Sequence, residues 1–136
     1  MKKFRRFISL MLVLMLCVTM AISASAVKRY KDVPAYGTMC GEFRQTNSTS
    51  LSVRTTVSAN DDNAILKNDV EILDQSSDSF TYHEYSSNRG ARSYSHIVPL
   101  YQTVDQRPAY AYCAHNIYRG TLHKPQVIRT EIPINH

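Results

Sequence analysis

The sequence predicts an all-β protein, a small antiparallel β-sandwich of about seven strands, preceded by a cleaved signal peptide. Apolar and polar residues alternate with a period of two in segment after segment, and clusters of turn-forming residues separate these segments. No window beyond the N-terminal stretch has the periodicity of an amphipathic helix. Strands that bury one face need a second sheet to cover it, so two packed layers are expected.

The N-terminal segment has the three parts of a secretory signal peptide. Basic residues open it, an apolar run extends from Phe7 to Ile22, and Ala24-Ser25-Ala26 offers the small residues that signal peptidase accepts. The apolar run is shorter than the roughly 20 residues that a transmembrane helix needs. We therefore expect residues 1–26 to be removed and the protein to be secreted, with no stable membrane anchor after cleavage. The leader resembles those of Gram-positive bacteria, which implies such a source.

The net charge of the chain belongs mainly to this leader. The whole sequence has 16 Lys and Arg against 11 Asp and Glu, a formal net charge of +5. Four of the basic residues and none of the acidic ones lie in the leader, which leaves 12 against 11 and a net charge of +1. Nucleic-acid binding domains carry a strong basic excess, so nucleic acid is not an expected partner.

The cysteines predict one disulfide bond. Cys17 leaves with the leader, so the mature chain keeps Cys40 and Cys113. An even number of cysteines in an exported protein indicates a disulfide, and two cysteines can pair in one way. Closing a loop of about 70 residues would stabilise the fold by roughly 4 kcal/mol. Two unpaired buried thiols are the alternative.

The first half of the mature chain divides into a lead-in and three strands. Residues 27–36 are charged and contain Pro34, which predicts an N-terminal lead-in to a sandwich domain spanning residues 37–136. The first strand surrounds Cys40, within residues 37–45. The second strand runs from Leu51 to Val57, and its alternation predicts one buried face and one exposed face. The buried face consists of Leu51, Val53, Thr55 and Val57; the exposed face consists of Ser52, Arg54 and Thr56.

The third strand, residues 64–73, alternates in the same way. Its apolar face carries Leu66, Val70 and Ile72, and its polar face carries Lys67, Asp69 and Glu71. Turn-forming residues fill the segment 59–63 between the second and third strands. We therefore predict that these two strands form a hairpin.

Four further strands are predicted within residues 80–85, 94–101, 109–118 and 126–132. Pro99 favours an edge position for the strand that contains it, because proline cannot donate a backbone hydrogen bond to a neighbour. In the strand 109–118, alternation places Tyr110 and Tyr112 on one face. Ala111 and Cys113 are expected on the other.

Histidines offer the candidates for a metal site, although no pair has the spacing of a zinc motif. Such a site would have to form across strands from His83, His96 and His115. We expect these three side chains to be ordinary strand residues, and neither a metal nor another cofactor is predicted.

Catalysis has little support in the sequence. No Gly-x-Ser-x-Gly nucleophile motif is present, and the two cysteines are assigned to the disulfide. A non-enzyme is therefore expected. An enzyme with a cross-strand metal site stays open as an alternative.

The later strands are rich in tyrosine, which suits a binding surface because it offers flat apolar area together with a hydroxyl group. Tyr94, Tyr110 and Tyr112 are the candidates for such a surface, and the alternative is that they pack inside. Arg89 and Arg92 flank a glycine in a predicted loop and are candidates for binding an anion.

Together these patterns favour an exported, non-catalytic binding or adhesion-type domain that recognises an envelope polymer or a protein outside the cell. The partner is an unknown extracellular glycan or protein. A small secreted antagonist, similar to a bacteriocin, is the second interpretation, because its size and export are compatible with the sequence.

Overall fold

The computed structural model describes residues 26–34, 36–59, 62–75, 78–101, 107–119 and 124–136. Within these ranges it contains eight β-strands and no helix. The strands are β1 (Ala26–Val33), β2 (Gly37–Asn47), β3 (Ser50–Val57), β4 (Ala64–Asp74), β5 (Ser79–Ser86), β6 (Ser93–Pro99), β7 (Pro108–Arg119) and β8 (Gln126–Pro133). Apart from Ala26, the predicted signal peptide and Cys17 lie outside the described residues. In the part of the chain described, no helix is long and apolar enough to cross a membrane.

The strands form two antiparallel sheets of four strands each. Sheet A has the order β1-β2-β3-β6, and sheet B has the order β5-β4-β7-β8. The connections β3–β4, β5–β6 and β6–β7 cross from one sheet to the other. At one side of the sandwich, edge strand β1 contacts edge strand β8, and β2 also contacts β8. The two-layer all-β architecture predicted from the alternation is confirmed.

All seven predicted strands are present, with ends within two residues of the predicted ones. Pro99 closes β6, which is an edge strand as predicted. The segment predicted as a lead-in is a strand, β1, paired with β2 from Ala26 to Val33. Sequence alternation misses β1 because its side chains are almost all outside the core and only Val33 is buried. Its charged residues are typical of an edge strand, where they discourage pairing with other chains.

The predicted hairpin between β3 and β4 is wrong. β3 pairs with β2 and β6, whereas β4 pairs with β5 and β7 in the opposite sheet. Both strands have one buried face, and the two faces cover each other across the sandwich. Val53 of β3 and Val70 of β4 belong to the same apolar cluster. The segment between the strands is therefore a crossover between layers.

The core is divided into two apolar clusters. The larger one surrounds Phe43 and Val53, and the smaller one surrounds Met39 and Leu66, all four of them fully buried. The predicted faces of β3 and β4 are confirmed, since every residue assigned to their apolar faces is buried. On β7, Ala111 and Cys113 also face the core, as predicted.

Polar side chains from four strands occupy the interior between the two clusters. They are Thr55 of β3, Asn68 of β4, His115 of β7 and Thr130 of β8, and each is at least 98% buried. The imidazole of His115 lies between two hydroxyl groups, with Nδ1 2.7 Å from Thr55 Oγ1 and Nε2 2.9 Å from Thr130 Oγ1. We call these four residues the polar belt. They tie the sheets together, because Thr55 lies in sheet A and the other three lie in sheet B.

The hydrogen bonds of the polar belt suit a neutral histidine. The Thr55 hydroxyl donates to Asn68 Oδ1, so its oxygen accepts the Nδ1–H of His115, and Nε2 of that ring accepts from Thr130. Burial lowers the pKa of His115 to about 4, with a smaller contribution from His96. The chain of bonds therefore persists at neutral pH with no buried charge.

Gly41 provides the space that His115 needs. A Cβ atom on Gly41 would lie 2.6 Å from Cδ2 of the imidazole, closer than carbon atoms approach in proteins. Gly41 pairs with Thr55 on the neighbouring strand, so its missing side chain leaves room for the ring inside the polar belt. Gly41 interrupts the apolar alternation of β2 in the sequence, but the packing of the His115 ring requires it.

The predicted disulfide between Cys40 and Cys113 is not present, and both cysteines are free. On β2, Met39, Gly41 and Phe43 are buried, so the alternation turns Cys40 toward the outer face of sheet A. Cys113 faces the core from sheet B. A disulfide requires its two Cβ atoms to lie close and to face each other. Cys40 points away from sheet B, so the backbone of sheet A lies between its side chain and that of Cys113.

We expect a reductant to leave the unfolding midpoint unchanged, because no covalent link is there to break. Alkylation under denaturing, non-reducing conditions followed by mass spectrometry should label both Cys40 and Cys113. Labelling that appears only after reduction would contradict the structure.

Candidate functional site

Exposed aromatic side chains are concentrated on the outer face of sheet B, the face that points away from sheet A. Leu73 of β4 pairs with Phe80 of β5 and with Tyr110 of β7. The adjacent row places Glu71 between Tyr82 of β5 and Tyr112 of β7. The exposed fractions are 58% for Phe80, 53% for Tyr82 and 42% for Tyr110. We call Phe80, Tyr82, Tyr110 and Tyr112 the aromatic face.

The aromatic face is continuous across the sheet. The rings of Phe80 and Tyr112 lie 6.4 Å apart between centroids and are tilted by 53°. This separation is within the range of favourable aromatic pairs. The contact between Phe80 and Tyr112 joins the two rows into one aromatic patch. The carboxylate of Glu71 lies within this patch, between Tyr82 and Tyr112.

A pocket of about 450 Å³ opens beside the aromatic face. Ala114 of β7 lies at its base, between Asp69 of β4 and Arg129 of β8 in the pairing register. The small alanine side chain leaves a depression between longer neighbours. The other side chains around the pocket on this face are those of Glu71, Tyr82, Tyr112 and Glu131, joined by Arg29 from sheet A.

Arg29 reaches this pocket from the other sheet. Arg29 lies on edge strand β1, where it pairs with Gly41 of β2. This edge is at the side of the sandwich where β1 contacts β8. From this edge its exposed side chain extends to the pocket on sheet B. The site therefore depends on the packing of the two sheets as well as on the strands of sheet B.

One side of the pocket carries a network of paired charges. Lys67 Nζ lies 2.9 Å from Glu84 Oε2 and 3.3 Å from Asp69 Oδ1. The Tyr82 hydroxyl donates to Asp69 Oδ1 at 2.9 Å, and Asn116 Nδ2 donates to Asp69 Oδ2 at 3.1 Å. The carboxylate of Asp69 is thus held by three neighbours, which fixes its orientation.

This network shifts the pKa values of its members. The hydrogen bond with Lys67 lowers the pKa of Glu84, and the bond with Glu84 raises the pKa of Lys67. Desolvation of the hydroxyl, followed by its bond to Asp69, raises the pKa of Tyr82 to about 12. At neutral pH the network consists of one ammonium, two carboxylates and a protonated phenol.

The other charged side chains around the pocket have no such partners. Among the described residues, the side chains of Arg29, Glu71, Arg129 and Glu131 form no ion pair or hydrogen bond, and all four are exposed. Their hydrogen-bonding capacity is therefore directed to solvent or to a ligand.

The candidate binding residues from the sequence are only partly brought together. Tyr110 and Tyr112 lie side by side in the register of the outer face of sheet B. Tyr94, in contrast, is half-buried in sheet A and packs against the smaller core cluster. Arg89 and Arg92 are exposed in the segment between β5 and β6, beyond the end of β5 that is remote from Phe80. Tyr94 therefore lies on a different sheet from Tyr110 and Tyr112, and the three do not form one surface.

The three candidate metal-binding histidines have different surroundings and do not form one site. His115 is occupied by the two threonines of the polar belt. His96 stacks on Tyr85 with 3.8 Å between ring centroids, and burial lowers its pKa to about 4. His83 lies on the same strand as Tyr85, on the opposite sheet from His96. Within the described ranges, no group of three His, Cys, Asp or Glu residues is arranged to hold a metal ion.

Sequence reasoning missed most residues of the site, among them Phe80, Tyr82, Arg29, Arg129 and Glu131. For Phe80 and Tyr82 a signal was available, because both alternate with the same parity as the charged Glu84 on β5. Arg129 and Glu131 alternate with the buried Ile128, Thr130 and Ile132. For Arg29 no local signal existed, since its position follows from contact between the sheets.

Comparisons with protein-family models, with characterised proteins and with solved structures found no match to this chain.

Proposed function

We propose that this protein is a secreted, non-catalytic binding domain that attaches to a glycan polymer of the cell envelope through the outer face of sheet B. The observation that carries the proposal is the exposure of Phe80, Tyr82 and Tyr110 on one face, next to a pocket whose rim holds unpaired charges. A large exposed aromatic patch of this kind indicates an interaction site.

The chemistry of the face suits a sugar chain. The rings of the aromatic face offer flat surfaces on which the apolar side of a sugar can stack. Next to them, carboxylates such as Glu71 accept hydrogen bonds from hydroxyl groups, and the guanidinium of Arg129 donates them. Because the rows repeat across neighbouring strands, an extended polymer can contact several rings at once.

The electrostatics of the network favour binding over acid–base catalysis. A general acid would need a raised carboxyl pKa, yet beside the pocket Lys67 lowers the pKa of Glu84. Tyr82 has a pKa of about 12 and so stays protonated at neutral pH, which makes it a poor base. Asp69 is fixed by its hydrogen bonds to Tyr82 and Asn116. These groups support the shape of the pocket.

Removing aromatic rings from the face should weaken binding. We expect Tyr82→Ala and Tyr110→Ala together to reduce retention on purified Gram-positive cell walls or on host glycans about tenfold or more, since each aromatic contact contributes about 0.5–1.5 kcal/mol. Co-sedimentation of the purified protein with each material, against a boiled-protein control, measures the effect.

Two exposed tyrosines elsewhere provide matched controls. Tyr30 and Tyr101 are 63% and 67% exposed and lie outside the aromatic face. Tyr30→Ala and Tyr101→Ala should therefore leave retention unchanged. Equal loss in these variants, or no retention of the native protein above the boiled control on any of the materials, would refute the proposal.

A further inference from the structure

We propose that the pocket over Ala114 recognises a zwitterionic group, in which one ligand carries both an ammonium and an anionic carboxylate or phosphate. This inference rests on the proposed function, because it takes the outer face of sheet B as the ligand surface. It adds the charge pattern of the ligand, which the aromatic face alone does not define.

Strand spacing holds opposite charges apart across the pocket. Glu71 is on β4 and Arg129 is on β8, with β7 between them. Neighbouring strands are about 4.8 Å apart, so β4 and β8 are separated by about 9.6 Å. The two residues are also two register positions apart along the strands. The two side chains form no ion pair with each other or with other described residues. A ligand with two charges can satisfy both at once.

The anionic end of the ligand has two guanidinium groups available. Arg129 projects from β8, and Arg29 comes from the neighbouring edge strand β1 of sheet A. Guanidinium groups bind carboxylate and phosphate oxygens through paired hydrogen bonds of suitable geometry. The two guanidinium groups lie on the same side of the pocket, and neither has a partner in the described structure. Together they can bind a single anion.

The cationic end of the ligand has a carboxylate and aromatic rings available. The carboxylate of Asp69 is already engaged by Lys67, Tyr82 and Asn116, so Glu71 provides the carboxylate without a partner on this side. Tyr82 and Tyr112 flank Glu71 in the register, and their ring faces attract an ammonium group. An ammonium near Glu71 therefore gains both contacts.

The balance of charges around the pocket disfavours a ligand of one sign. Among the described residues, the lining contains two guanidinium groups, those of Arg29 and Arg129, and three carboxylates, those of Asp69, Glu71 and Glu131. Glu131 is two residues from Arg129 on the same face of β8, where it repels a purely anionic ligand. A purely cationic ligand leaves the guanidinium groups without a partner and meets their repulsion. The volume of about 450 Å³ is suited to a small polar group.

Titration of the purified protein with four small probes, followed by NMR of the backbone amides, tests this inference. Phosphoethanolamine and β-alanine carry both charges, whereas ethanolamine carries only the ammonium and inorganic phosphate only the anion. We expect at least one zwitterion to shift the amides of β7 and β8 around Ala114, with a Kd at least tenfold lower than for ethanolamine or phosphate. Preference between the two zwitterions identifies the anion as phosphate or carboxylate.

Charge-removing variants separate the two ends of the pocket. Glu71→Gln should reduce the affinity for the preferred zwitterion to that for phosphate, and Arg129→Gln should reduce it to that for ethanolamine. Arg44→Gln is the matched control, because Arg44 is exposed on β2 in sheet A. It should bind as the native protein does.

Equal affinities for all four probes, or unchanged zwitterion binding in Arg129→Gln, would overturn the inference. Such a result would leave the proposed function intact if the tyrosine variants still lose retention on cell walls or glycans. If neither the zwitterion preference nor the reduced retention of the tyrosine variants is observed, the outer face of sheet B is not the ligand surface.

Discussion

Replacing Val53 with Asp is expected to leave no stably folded protein. Val53 is fully buried in β3, in the larger core cluster with Phe43 and Val70. A carboxylate there would have neither a hydrogen-bond partner nor water, and burying an unpaired charge costs several kcal/mol. Because the whole stability of a domain is about 5–15 kcal/mol, this one change should remove most or all of it. Far-ultraviolet circular dichroism with thermal unfolding measures the loss.

The neighbouring residue provides the control for this prediction. Arg54 is exposed on the outer face of sheet A, so Arg54→Asp introduces the same carboxylate one position further along the strand. This variant should fold, with a change in the free energy of unfolding within about 1 kcal/mol. If Val53→Asp folds normally while Arg54→Asp does not, the two faces of β3 have been assigned the wrong way round.

Acidification is expected to destabilise the protein between pH 6.5 and 4. The pKa of His115 is about 4 in the folded protein, against an ordinary value of 6.5. In this interval the unfolded state binds a proton that the folded state does not, so stability is full above pH 6.5 and falls as the pH is lowered. The difference corresponds to about 3 kcal/mol at pH 4. Burial of His96 and the lowered pKa of Glu84 act in the same direction.

Urea unfolding at a series of pH values measures this dependence. His115→Gln is the informative variant, because a glutamine side chain can hydrogen-bond with Thr55 and Thr130 but does not titrate. Its free energy of unfolding should fall less between pH 6.5 and 4 than that of the native protein, with His96 and Glu84 providing the remainder. The same slope in both proteins would show that His115 does not titrate differently on folding.

The strands could be predicted from the sequence because the alternation of side chains is a local property. In β3 and β4, most inward residues are apolar or Thr and most outward residues are polar, so the pattern alone locates the strands. The exceptions, all in β4, are Ile65, Asn68, Leu73 and Asp74. The same alternation also predicts the orientation of Cys40. Met39 and Phe43 have the parity of the core, which turns Cys40 outward, but Gly41 between them hides the pattern.

Strand pairing and the candidate site could not be predicted in this way, because both depend on contacts between distant segments. The alternation of β3 and β4 is the same whether they are neighbours in one sheet or face each other across two. Tyr94 and Tyr110 each lie between two small residues, yet one is inward in sheet A and the other outward in sheet B. The position of Arg29 at the pocket follows from the packing of β1 beside β8.

The most direct test of the ligand surface is amide chemical-shift mapping with soluble fragments released from Gram-positive cell walls and with host oligosaccharides. The structure predicts that shifts concentrate on the outer face of sheet B, at Glu71, Tyr82, Tyr112, Ala114 and Arg129, while the outer face of sheet A stays unchanged. Shifts concentrated instead around Cys40, Arg54 and Thr56 of sheet A, or none with any fragment, would contradict the assignment.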